Sequence, residues 1–143
     1  DVLLAIAAAL AIGEALTASG AAQTIAHLLV SATSRYGPVA ALAAVYVITV
    51  LFTEMLTNSA AAVLAFPLAL AAADQLGVSP RPFAMAGMFA ASFGFSTPIG
   101  YQTHLMIFGP GGYRFTDFSK MGLPLNVLLA VLALGLIPWL WPL

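Results

Sequence analysis

Two apolar runs of this chain are each interrupted near mid-length by a polar stretch, and those interruptions restrict its fold more than any other feature. In residues 39–76 the stretch is Thr53-Glu54-Met55-Leu56-Thr57-Asn58-Ser59; in residues 83–108 it is Ser96-Thr97-Pro98-Ile99-Gly100-Tyr101-Gln102-Thr103-His104. A helix needs roughly 20 apolar residues to cross a bilayer, and the arms on either side of each stretch are shorter than that. Composition identifies the solvent. Hydrophobic residues make up 62% of the 143 residues and charged ones 6%, where a soluble domain carries ~25% charged residues to wet its surface. Most of this surface must face lipid or other apolar protein, so the expected fold class is all-α and integral to a membrane.

The same composition excludes other classes. A net charge of −1 with four scattered basic residues offers no electrostatic footprint for DNA or RNA. The absence of cysteine removes disulfide frameworks, thiolate zinc sites, iron–sulfur clusters and cysteine nucleophiles. Because the chain starts at Asp1 rather than Met, we expect it to be a piece of a longer protein.

The layout follows from breaks at Gly, Pro and clustered charge. Residues 1–35 give a first apolar run followed by an amphipathic helix, 21–34. In that helix Gln23, His27, Ser31 and Ser34 recur on one side, with Ile25, Leu28, Leu29 and Val30 on the other. Residues 38–76 form two short arms about a tip near 53–59, which suggests a re-entrant helical hairpin, although two full spans also return the chain to its starting side. Residues 82–108 predict a broken helix, and 109–113 (Gly-Pro-Gly-Gly-Tyr) a turn-rich loop. Thr116 is suited to cap a short interfacial helix through Lys120. Residues 121–143 supply a final span, with Trp139 and Trp141 at the level of an aromatic belt. Arg35 and Arg81 stand against Arg114 and Lys120 across the membrane, so charge alone decides no orientation.

The pair of breaks is where chemistry is expected. Unwound backbone in hydrocarbon leaves N–H and C=O groups that cost several kcal/mol each if unpaired. Asn58 and Ser59 begin the second arm, whose N–H groups and positive dipole end favour an anion. Carbonyls around Thr53 to Leu56 point the other way and can hold a cation. Pro98 weakens the ladder of the second break, and Gly100 permits close backbone approach. Broken-helix pairs of this kind mark secondary transporters, although a proline kink with Ser and Thr bonding back to the helix explains either break alone.

Glu54 is the one acid in the middle of an apolar run. It is either a proton carrier or ion ligand, or a hydrogen-bonded residue that stiffens the tip. His104 is either a proton relay or a structural, hydrogen-bonded histidine. Residues 109–112 lack the Lys and helix of a phosphate loop. No nucleophile motif supports a hydrolase built from Ser59, Glu54 and His104, so no enzyme is expected. Met85 and Met88 suit packing better than metal binding. The membrane runs contain no Lys or Arg, so a negatively charged cargo would need co-bound cations.

The order of these motifs, Thr53 to Ala60 followed by Ser96 to His104, resembles the C-terminal half of the divalent anion/sodium symporters, solute carrier family 13, within the citrate-transporter-like ion transporter superfamily. The run Thr97 to Thr103, followed by Gly-Pro-Gly-Gly-Tyr-Arg-Phe, is similar to a prokaryotic permease branch that often carries soluble regulatory domains of the TrkA-C type. The resemblance implies two inverted repeats, each with a re-entrant hairpin and a broken helix, and a transport domain moving elevator-fashion beside a dimerising scaffold in a bacterial inner membrane. It implies that Thr57, Asn58 and Ser59 stand where the family has its Ser-Asn-Thr signature and bind substrate with Pro98. Sodium, the coupling ion, would lie among Thr53, Leu56, Asn58 and Gly100, and no organic cofactor is implied. The cargo would be a small divalent anion, a dicarboxylate or sulfate, and the partners the bilayer, a missing N-terminal repeat of the same chain and a second protomer. A proton-coupled or efflux carrier using Glu54 or His104, or a non-transporting scaffold for a regulatory domain, are the alternatives. The family pattern has Asn where this chain has His104. By the same resemblance Arg35, Arg81 and the C-terminus lie outside, with Arg114 and Lys120 in the cytoplasm.

Overall fold

The computed structural model describes residues 2–143, and the regular structure among them is entirely helical. In chain order the helices are α1 (Val2–Ala18), α2 (Ala21–Thr33), α3 (Pro38–Met55), α4 (Asn58–Leu76), α5 (Pro80–Ser92), α6 (Gln102–Phe108) and α7 (Phe115–Leu140), with a 3-10 turn at Ser34–Tyr36 between α2 and α3. Three of them, α3, α4 and α7, are long and apolar enough to cross a membrane.

Local sequence sets the boundaries. Gly37, at φ 80°, turns the chain into Pro38, whose missing N–H costs nothing at the first helical position. Gly77, at φ 66°, closes α4 in the left-handed conformation, with its N–H donating to the Ala73 and Asp74 carbonyls. Ser79 then caps α5, its hydroxyl accepting from Arg81 N at 3.4 Å. Between α3 and α4 only Leu56 and Thr57 leave the helical path. Both are extended, and Thr57 Oγ1 accepts from Ala60 N. The two helices pack on one another and both pack on α5.

Alanine makes that contact close. The core comprises Ala41, Leu42, Val45 and Tyr46 of α3, Leu68, Ala69, Ala72 and Ala73 of α4, and Phe83, Ala86 and Ala90 of α5. Ala26 of α2 and Ala133 and Ile137 of α7 complete it. Small side chains let helix backbones approach closely, which is how helices associate where lipid removes the hydrophobic drive.

Three expectations need correction. In α2 the polar side is as predicted, with Gln23, His27 and Ser31 exposed, but the covered stripe is Ala22 and Ala26 flanked by Ile25 and Leu29. Leu28 is 63% exposed, because two residues beyond Ala26 is ~200° around a helix. The second break starts earlier than its polar residues do: α5 ends at Ser92, residues 93–101 are irregular, and His104 already lies within α6. Finally, residues 116–120 form no helix of their own but the first turns of α7. α7 runs unbroken through Gly122 and Pro124, and its start is set by Asp117, whose Oδ2 accepts from Arg114 N at 2.8 Å. An acid at the third helical position both pairs an end N–H and suits the dipole, so Thr116 is not the cap.

Candidate ion and substrate site

The end of α3 meets the break after α5. The last carbonyls of α3 and α5 have no partner within their own helices, and the first N–H groups of α4 are in the same position. Thr53, fully buried, donates its hydroxyl proton to Ala91 O at 2.7 Å. Thr97 Oγ1 donates to Glu54 O at 2.8 Å and accepts from Gly100 N at 3.1 Å. Both breaks are therefore stitched together by side chains of the other. Glycine makes the approach possible: a Cβ on Gly100 would lie 2.8 Å from Thr53 O, and one on Gly94 would lie 3.2 Å from it.

Asn58 faces the centre of this junction. One atom of its amide lies 2.8 Å from Thr53 Oγ1, 3.2 Å from Ala91 O and 3.2 Å from Gly100 O. With nitrogen in that place, the two amide protons face three acceptor oxygens. With Oδ1 there, four oxygens would converge, more than the one Thr53 proton could satisfy. Neutral carbonyl, hydroxyl and amide oxygens form the hard donor set that an alkali cation prefers. In that orientation Thr53, Asn58, Ala91 and Gly100 are the residues that could hold sodium.

Beside this junction lies a second polar cluster. Glu54, only 8% exposed, accepts from Ser96 N at 2.8 Å and from Asn126 Nδ2 at 2.7 Å, both at Oε1. Asn126 Nδ2 also donates to Ser96 Oγ at 2.8 Å, and Ser119 Oγ donates to Ser96 O at 3.0 Å. α7 is held against the second break in this way. Gly122 lets it close in, since a Cβ there would collide with the Phe95 carbonyl.

The structure brings together Thr53, Asn58 and Gly100, and places Glu54 next to them. Thr57 and Ser59 are exposed at the start of α4, whereas Pro98 is buried within the break. Leu56 is extended, 39% exposed, and has its N–H bonded to Phe52 O. His104 Nδ1 lies 3.4 Å from Thr97 O, and its ring packs among Phe95, Tyr101 and Phe118. Sequence reasoning missed Ala91, whose contribution is a carbonyl that no side chain advertises. It also missed Asn126, although a lone amide inside an apolar span is a readable signal.

Comparison with known proteins finds relatives that are named as transporters. A 43% identical relative over 131 residues, an uncharacterised transporter of Synechocystis sp., is matched across 92% of this chain and 21% of its own length. Sodium/sulfate cotransporter 1 of Chlamydomonas reinhardtii is 40% identical over 134 residues, 93% of this chain and 15% of the relative. An uncharacterised transporter of Escherichia coli (strain K12) is 41% identical over 107 residues, 75% of this chain and 18% of the relative. The chain thus spans about a fifth of the length of such relatives, which are named as transporters and not as enzymes. The sequence model of the citrate transporter family matches residues 1–142, and the chain belongs to that family of membrane transporters.

Proposed function

We propose that this segment is the C-terminal repeat of a sodium-coupled carrier for a small divalent anion of the dicarboxylate or sulfate class, working by elevator-type alternating access. The observation that carries the reading is the convergence of Thr53 Oγ1, Ala91 O, Gly100 O and the Asn58 amide where two helix ends meet. The name of the Chlamydomonas relative, a sodium/sulfate cotransporter, supports it. Sodium is bound by those four groups, with the Leu56 carbonyl close by in the chain. The anion is held on the exposed side of the tip by Thr57, Asn58 and Ser59 at the positive end of α4, with Pro98 shaping the break beside it.

Charge balance explains the coupling. All four basic side chains are exposed, so a dianion in this site has no fixed positive partner nearby, and the bound cation supplies one. The α3–α4 pair acts as a re-entrant hairpin, the opposite repeat completes the pocket, and the assembled carrier is a homodimer.

The test is uptake of labelled sulfate and succinate by the full-length protein in proteoliposomes. The expected result is uptake driven by an inward sodium gradient, with Asn58→Ala raising the half-saturating sodium concentration by at least about tenfold, equivalent to ~1.4 kcal/mol. Sodium-independent uptake that follows a proton gradient would overturn this reading in favour of proton coupling at Glu54 or His104. No uptake under either gradient would leave a scaffold.

A further inference from the structure

Glu54 and Asn126 between them leave two buried oxygens without a donor. Asn126 Nδ2 has two protons, and both are used, one on Glu54 Oε1 and one on Ser96 Oγ. The amide is thereby fixed, because turning it over would aim its oxygen at the Glu54 carboxylate. Its Oδ1 consequently points where it meets no donor, and Glu54 Oε2 is in the same condition. Both residues are only 8% exposed. The two orphaned oxygens belong to groups joined by a 2.7 Å hydrogen bond, so neither lies further from that bond than the width of one carboxyl or amide group.

A buried, unpartnered acceptor is destabilising, the more so when it is charged. A carboxylate in a membrane interior also needs a compensating charge. Lys120, the basic residue nearest to Asn126 in α7, is exposed, and no neighbouring donor reaches Oε2. What reconciles two acceptors of this kind is a positive charge, either a proton held on the Glu54 carboxyl or a bound cation, and the carboxylate form calls for the cation. A carboxylate oxygen and an amide oxygen, with the Ser96 hydroxyl beside them, are hard ligands. One negative charge matches a monovalent ion and leaves the site neutral, whereas a divalent ion would leave a net positive charge in the hydrocarbon.

We propose that Glu54 and Asn126 form a second monovalent-cation site, of sodium type, behind the tip of the α3–α4 pair. It rests on the sodium-coupled reading and adds to it, since Glu54 follows Thr53 directly and Ser96 and Thr97 fasten both to the same break. A cation here ties α3, the second break and α7 into one body while the Thr53–Asn58 site is loaded. The consequence is stoichiometric: two sodium ions enter through this half of the carrier rather than one.

The experiment measures the sodium-to-anion coupling ratio of the full-length protein from reversal potentials in proteoliposomes. Glu54→Gln is expected to lower the number of sodium ions per anion by one and to flatten the sodium activation curve, while uptake remains sodium-dependent. Asn126→Ala is expected to raise half-saturating sodium by about 10–100-fold, the usual cost of losing a supporting metal-site group. If Glu54→Gln transports poorly, equilibrium binding of labelled sodium to purified Asn126→Ala protein reads the same site, and wild-type stoichiometry there would overturn it. An unchanged coupling ratio in Glu54→Gln, or a ratio change that follows protons and leaves sodium untouched, would also overturn it. Wild-type uptake without sodium dependence would instead defeat the coupled reading at Asn58.

Discussion

Thr53 has one hydroxyl proton, and Ala91 O receives it at 2.7 Å, so its oxygen remains free to accept from Asn58 or to bind a cation. Thr53→Val keeps the shape and removes both functions. It should destabilise the fold by about 1–3 kcal/mol, because the Ala91 carbonyl is left buried without a donor. It should also weaken sodium activation, and Thr53→Ser should restore most of both. Thermal unfolding in detergent and sodium titration of uptake are the measurements. A Thr53→Val protein with wild-type stability and sodium dependence would remove the residue from the site. Thr53, Asn58, Gly100 and Glu54 were legible in the sequence because polar or flexible residues inside an apolar run are expensive and stand out. Ala91 was not legible, since its contribution is main-chain and its side chain is one alanine among many. The orphaned oxygens of Glu54 and Asn126 depend on a pairing across 72 positions, and spacing carries no trace of that.

At the level of elements, α7 shows why its beginning was misread. Gly122 and Pro124 look like breakers, yet the helix passes through both. A membrane helix tolerates such residues when neighbours re-satisfy the freed groups. Gly122 is needed instead for close approach, because any Cβ would run into the Phe95 carbonyl. Gly122→Ala should therefore push α7 away from the break and cost about 1–3 kcal/mol by overpacking. Gly135→Ala is the control: nothing lies within 4 Å of its Cβ position, so the same exchange there should be neutral or slightly stabilising through helix propensity. Equal melting temperatures for the two variants would show that α7 is not seated against the break. The outer ends of α3 and α4 carry conventional signals, Gly37-Pro38 and Gly77. The second break was placed three residues late, because Phe93, Gly94 and Phe95 look apolar while their backbone has already left the helix.

For the whole molecule the open question is depth. α3 has 18 residues and α4 has 19, or about 27–29 Å at ~1.5 Å per residue, against ~30 Å of hydrocarbon. Length alone therefore allows a complete span or a re-entrant hairpin. The α3–α4 tip is stitched to residues 91–100, which is the surrounding that the proposed hairpin needs, since irregular backbone at membrane depth survives only where protein or a wet cavity surrounds it. α7 is different, with Val131 66% and Trp139 77% exposed, as suits a helix that faces lipid or the remainder of the carrier. The lack of native cysteine in this segment makes single cysteines clean probes of depth. In a cysteine-free full-length background, Met55→Cys, at a position 76% exposed beside the tip, should react with a membrane-impermeant thiol reagent through the cavity, and more slowly once sodium and anion are bound. Cysteines at Tyr36 and Ser79, which flank the pair, should both label from one face of the membrane. For two complete spans the tip would label only from the opposite face, at a rate indifferent to sodium and anion. That result would put the Thr53–Asn58 oxygens at a membrane surface, where water could replace any ion they hold and coupling would have no structural basis.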